Sequence, residues 1–287
     1  MANAVVGQPR ALQILKGDRG VSWDDRNLFN IGELERHSND PHVKPINDYV
    51  LQLREQQRKF VPFVSPGYGG VDARLLAVQK SPGVRTKPVR QGGTGFLDVD
   101  NPDPAAKRHG RFLAMAGIDL GDTLSWNSLP WFDADFDDGR QLEAGVKALA
   151  TVIDMLDNLS VVMLHGSEAR AMWRLLEARH RSKADRFRPI ETRSLGAALV
   201  DSRYKSQAEI DSENARILSD FRSAARRLRY APRIGTRSRT QSASLPGVRD
   251  DVPISRPPAA LSHQQWSHRF EYDEDGGREW PLLPEQP

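Results

Sequence analysis

The chain contains no cysteine. That absence excludes a disulfide framework, a thiolate nucleophile, a cysteine zinc site and a cysteine-ligated iron–sulfur cluster. No apolar run approaches the roughly 18 residues a membrane-spanning helix needs, and the first residues lack the basic start, apolar stretch and small-residue cleavage site of a secretory signal. Excess charge of one sign is missing too: 41 Lys and Arg stand against 38 Asp and Glu, so bulk electrostatics alone do not announce a nucleic-acid ligand. Apolar residues are scarce, at 38% with a mean hydropathy of −0.58, which implies that part of the chain builds no core. The expectation is a cytoplasmic protein with no membrane partner.

The poverty in apolar residues is concentrated at one end. From Pro232 the chain is rich in Arg, Ser and Pro without apolar periodicity, and its last stretch, EYDEDGGREWPLLPEQP, is acidic. Such a segment cannot bury enough apolar surface to offset about 1–2 kcal/mol of backbone entropy per residue. Residues 232–287 therefore read as a disordered tail. It is either a solvated extension or a contact for DNA phosphates through Arg233, Arg237 and Arg239, or for a partner through Trp280. Residues 1–60 read as a polar extension whose helix, opening near Tyr49, packs against the edge of a domain spanning 61–231.

Within that domain short apolar runs alternate with amphipathic stretches. RLLAVQ (74–79), DTLSWN (122–127), SVVMLHG (160–166) and FRPIET (187–192) read as strands. Helices follow over the DNPDPAAKR stretch to Gly117, over 140–157, over 167–180 with Ser167 as cap, and over about 207–229. The alternation predicts an α/β fold: a three-layer α/β/α sandwich around a central, mostly parallel four-stranded sheet. In such sheets ligands sit outside the carboxyl ends of the strands. That rule selects the segments 80–96, 127–132, 165–166 and 192–195.

These segments hold the candidate residues. Pro82, Gly83 and Gly95 belong to loops that let backbone approach a ligand closely, with Lys80 supplying charge. The spacing fits neither a Walker A loop nor a G-x-G-x-x-G fingerprint. Asn127 ends a strand in LSWNSLPWF, where an amide that donates and accepts suits the edge of a base; alternatively it caps a loop between core residues Trp126 and Trp131. Phe96 is placed to stack on a flat ring or to anchor its loop, and His165 is an acid, a ligand or a structural residue. DADFDD (133–138) lacks the spacing of a calcium loop and reads as a helix-capping turn.

Taken in order, VQKSPG (78–83), GGTGF (92–96), DNPDPAAKR (100–108), AGID (116–119), DTLSWNSLPWF (122–132) and VVMLHGSEARAMW (161–173) resemble the uracil-DNA glycosylase superfamily. The nearest likeness is to its cysteine-free, actinobacterial and phage-type members, and it covers roughly 61–230. The resemblance implies a monomeric DNA-repair hydrolase that flips uracil out of DNA and cleaves its N-glycosidic bond, without cofactor, metal or iron–sulfur cluster. It places Lys80, Pro82 and Gly83 in a loop contacting the water and sugar, Phe96 under the uracil ring and Asn127 on the uracil edge. It places Arg193, in ETRSLGAAL (191–199), where the family carries a histidine that stabilises the departing base. Lys80 stands where iron–sulfur members have a glutamate, and Asp98, Asp100 or Asn101 is the expected substitute on the water. With both groups altered, the resemblance leaves a second reading open: a catalytically silent DNA- or uracil-binding protein on the same fold.

Overall fold

The computed structural model describes residues 31–196 and 205–231. Its elements run in chain order: α1 (31–37), α2 (Lys44–Gln57), β1 (Phe63–Val64), β2 (Leu75–Gln79), β3 (Phe96–Leu97), α3 (Pro104–Ala116), β4 (Thr123–Asn127), α4 (Gly139–Met155), β5 (Val161–His165), α5 (Ser167–Arg179), α6 (Arg181–Ala184), β6 (Ile190–Thr192) and α7 (Gln207–Tyr230). Four strands form one parallel sheet in the order β4-β2-β5-β6, and β1 pairs with β3 in a separate parallel ribbon.

Local chemistry sets the helix ends. Asp103 caps α3 by accepting from the backbone N–H of Ala105 and Ala106, and Pro104 follows at the first helical position, where no N–H is needed. Gly117 closes that helix in the left-handed conformation. Asp138 caps α4, so the acidic run does serve as a helix-capping turn. Ser206 and Glu209 form a reciprocal capping box on α7. The expected cap on α5 is corrected: Gly166 occupies the N-cap and Ser167 is already helical, its hydroxyl donating to Glu168 Oε2 at 2.8 Å.

Helices cover both faces of the sheet, which gives the three-layer α/β/α arrangement. On one face α3 and α7 meet through Phe112 and Phe221, with ring centroids 5.5 Å apart. On the other lie α4 and α5, tied by an Arg179–Glu143 ion pair of 2.7 Å, with α2 against α4. Ile46, Val50 and Leu53 of α2 are buried in the same hydrophobic cluster as the strands. The core thus begins well before residue 61, and α2 is part of it. The two-residue strands β1 and β3 are too short to leave a periodic signal in the sequence. Among the described residues no helix is long and apolar enough to cross a membrane. The expectations for 232–287, including Arg233, Arg237, Arg239 and Trp280, lie outside the described residues.

Candidate functional site

Side chains alternate across a strand, and in-register neighbours of a parallel sheet share a face. The register aligns Gln79 with Asn127, and His165 with Thr192. His165 packs on His109 of α3 and Phe221 of α7, each at 5.7 Å between ring centroids, so this row faces the α3/α7 layer. Read across the carboxyl end of the sheet, the row is Asn127, Gln79, His165, Thr192. The intervening residues (Val78, Trp126, Leu164) take the opposite face.

The row is buried and incompletely hydrogen-bonded. Asn127, His165 and Thr192 are 3%, 2% and 4% exposed, too little for bulk water to hydrate them. Seven buried side-chain polar atoms among the described residues lack a partner, and five of them cluster here: Asn127 Nδ2, both ring nitrogens of His165, Thr192 Oγ1 and His109 Nε2. Leaving such groups unpaired costs about 1–3 kcal/mol each, and they are concentrated at the end of the sheet where parallel sheets bind ligands. Burial drives the His165 pKa down to about 3, helped by His109 and opposed by a weaker pull from the Arg193 backbone. Burial likewise lowers His109 to about 4, so both rings are neutral at physiological pH.

Two loops close over this end. Thr94 N–H donates to the Arg85 carbonyl and Gly95 N–H to the Lys87 carbonyl, both at 2.9 Å, so the loops carrying Pro82–Gly83 and Gly95–Phe96 interlock. A Cβ on Gly83 would meet Asp103 Oδ2 at 2.6 Å, which seats that loop on the start of α3. Gly95 has φ +76°, a conformation glycine adopts without strain. Phe96 is buried, its ring 5.7 Å from Phe63. Asn101, expected near the water, is engaged elsewhere. Its Oδ1 accepts from Thr94 Oγ1 and its Nδ2 donates to the Phe96 carbonyl, both at 2.8 Å. Both ends of that amide are committed to holding the Phe96 loop. Asp98 is likewise engaged with Ser65 Oγ and with the Asp100 N–H. Tyr68, which interacts with Ser125 and feels the charge of Asp98, joins the Phe96 loop to the β4 row; burial pushes its phenol pKa up.

The cations at the mouth are paired. Lys80 Nζ lies 2.7 Å from Glu168 Oε1, and 5.4 Å from the Phe136 ring centroid. Arg193 grips Glu213 of α7 through Nε and Nη2, at 3.1 and 2.8 Å. Arg193 follows β6, whereas Asn127 ends β4 at the other edge, three strand spacings or about 14 Å away. The two stand at opposite edges of the sheet, each at the carboxyl end of its strand. Between them Gly166, at φ +94°, turns β5 into α5; a Cβ there would sit 3.2 Å from Ser194 Cβ.

Four members of the site have no role assigned from the sequence: Gln79 and Thr192, which lie within segments singled out there, and His109 and Glu168. The place of the first two comes only from strand register, and that of His109 only when α7 covers it. Glu168 carries a local signal, an acid in the first turn of a helix after a strand, but its partner Lys80 belongs to a distant segment of the chain. Basic residues of α5, α6 and α7 are partly committed. Arg170 Nη1 donates to the Thr192 carbonyl at 3.3 Å, and Lys183 pairs with Asp154. On α7, Arg222, Arg226 and Arg229 remain exposed along one stripe. No protein-family model matches the chain, and neither does any curated protein.

Proposed function

We propose that this chain is a uracil-DNA glycosylase-type repair protein that takes a flipped uracil into the crevice and hydrolyses its N-glycosidic bond. The observation that carries the reading is Asn127: a buried amide at a strand's carboxyl end whose Nδ2 donor has no partner among the described residues. A donor held there suits a carbonyl oxygen such as uracil O4, where cytosine presents an amino group instead. Enzymes that act on a base take it out of the stack and read its edge in a pocket. The stacking role falls to Phe96, whose loop is braced by Asn101 and Thr94 and whose ring packs on Phe63. Uracil departs as an anion, so cations and donors aimed at it act where charge develops. Arg193 serves that role once it exchanges Glu213 for the base, with neutral His165 lining the crevice below.

A second reading, a silent binder of uracil-containing DNA, is favoured by one feature: Lys80 and Arg193 are both neutralised by carboxylates in the resting fold. A single-turnover assay on a uracil-containing oligonucleotide, single-stranded and paired with G or A, separates the two. The glycosylase reading expects abasic product from the wild type. It also expects a roughly 10²–10³-fold slower rate in Asn127→Ala, the scale of removing one transition-state donor. No abasic product at high enzyme, with a uracil-dependent gel shift, selects the silent binder.

A further inference from the structure

We propose that Glu168 is a catalytic carboxylate of this crevice, facing the sugar and the attacking water, with Lys80 as its exchangeable clamp; this rests on the glycosylase reading.

Position is the first argument. Lys80 follows β2 and Glu168 follows β5, the two adjacent central strands, so their 2.7 Å contact sits at the middle of the sheet's carboxyl edge. Glu168 Oε2 also lies 3.7 Å from where a Gly166 Cβ would stand, beside Ser194 after β6. Three strand ends therefore converge on this carboxylate. Its side chain is 29% exposed and that of Lys80 is 55% exposed, so both are open to a ligand from the mouth.

Charge is the second. A hydrogen bond from Lys80 holds the Glu168 pKa down to about 2, assisted by Ser167 and by its own backbone N–H. The first turn of α5 favours an anion in addition. While Lys80 holds it, Glu168 is ionised at physiological pH. Its contribution is fixed negative charge.

N-glycoside hydrolysis needs that charge. The C1′–N1 bond breaks with both electrons leaving on uracil, and C1′ becomes cationic. The water oxygen then bonds to C1′, and its released proton ends on the uracil anion, directly or through solvent. Glu168 stays ionised throughout, holding the water and opposing the positive sugar. The Lys80 pair, half in solvent, is weak enough for a DNA phosphate to displace Glu168 from the ammonium. Substrate binding thereby uncovers the carboxylate.

The test uses the full chain and two readouts. Glu168→Gln, which keeps shape and removes charge, is expected to slow single-turnover cleavage roughly 10²–10³-fold while uracil-DNA affinity stays within about twofold. In gel shifts, wild type is expected to prefer an oligonucleotide with a cationic pyrrolidine abasic analogue over one with neutral tetrahydrofuran, and Glu168→Gln to lose that preference. Lys80→Met should instead weaken binding and flatten its salt dependence. A Glu168→Gln rate within about threefold of wild type overturns the inference, as does a wild type blind to the analogue's charge. A wild type that never cleaves sinks the glycosylase reading, while the analogue pair still judges Glu168.

Discussion

The two faces of the central sheet are made by the same four strands and differ almost completely in chemistry. Toward α4 and α5 the three longer strands present Leu76, Val78, Leu124, Trp126, Val162 and Leu164, all essentially buried and, apart from the unpartnered Trp126 Nε1, all apolar. Toward α3 and α7 the same strands, with β6, present Gln79, Ser125, Asn127, His165 and Thr192 near their carboxyl ends. A face designed only for stability would resemble the first, because each buried polar group left without a partner costs free energy. The second face gives up stability at the end where ligands bind in parallel sheets. Polar groups at the carboxyl end of one face, and mainly apolar groups along the three longer strands on the other, give the two faces different parts in holding the fold.

Adjacent residues test that separation most sharply. Trp126 is fully buried on the apolar face, and Trp126→Ala should cost about 3–5 kcal/mol, read from urea unfolding. Asn127→Ala should change stability by less than about 1 kcal/mol while slowing the proposed cleavage, because its amide nitrogen has no partner to lose. Equal destabilisation by the two would erase the distinction between the faces.

The polar face should also carry the pH dependence. His109 and His165 have pKa values depressed to about 4 and about 3 from 6.5, so the folded state resists protonation that the unfolded chain accepts. Their contribution is complete above pH 6.5 and is lost as pH falls, until the folded pKa values are reached. By linkage the loss is about 2 kcal/mol per histidine at pH 5. Thermal melts between pH 7.5 and 5 should show it, and His109→Leu should flatten the slope by roughly half. A pH-independent melting temperature in wild type would mean that these rings are reached by solvent.

The smallest effect is expected at the mouth. Arg193–Glu213 joins a half-exposed guanidinium to a carboxylate of 14% exposure, and Glu213→Ala should alter stability by only about 0.2–1 kcal/mol. Its informative readout is affinity: freeing Arg193 should tighten binding of uracil-containing DNA. Weaker binding would mean that Glu213 orients the arginine for its ligand.

Much of this was legible in the sequence, and the rest had reasons not to be. β2, β4 and β5 declared themselves as short apolar runs, and α3, α4 and α7 by caps and periodicity, because those signals are local. Asn127 and His165 stood out as polar residues at strand ends. What stayed hidden was relational. The Lys80–Glu168 pair depends on β5 lying beside β2, and Asn101 looked available to a ligand until its amide was seen bracing Phe96. Thr192 lay in the strand-end segment 192–195, but its place in the row came only from its register with His165. The helix on residues 44–57 looked peripheral because its apolar positions are few, yet Ile46, Val50 and Leu53 all reach the core.

α7 has a consequence beyond the surface it covers. Its 24 residues span about 36 Å and run against the strands. Glu213, in its first third, holds Arg193 at the carboxyl edge of the sheet, and Phe221 rests midway on His109 and His165. Near its far end the carbonyls of Leu228 and Ala231 accept from Arg74, just ahead of β2. The helix thus ties the two ends of the sheet together, held by Glu213 at one, by Arg74 at the other and by aromatic contacts between them. On the reading proposed above, a lesion at Arg74, a whole sheet-length from Arg193, is expected to loosen this helix and to weaken binding of uracil-containing DNA.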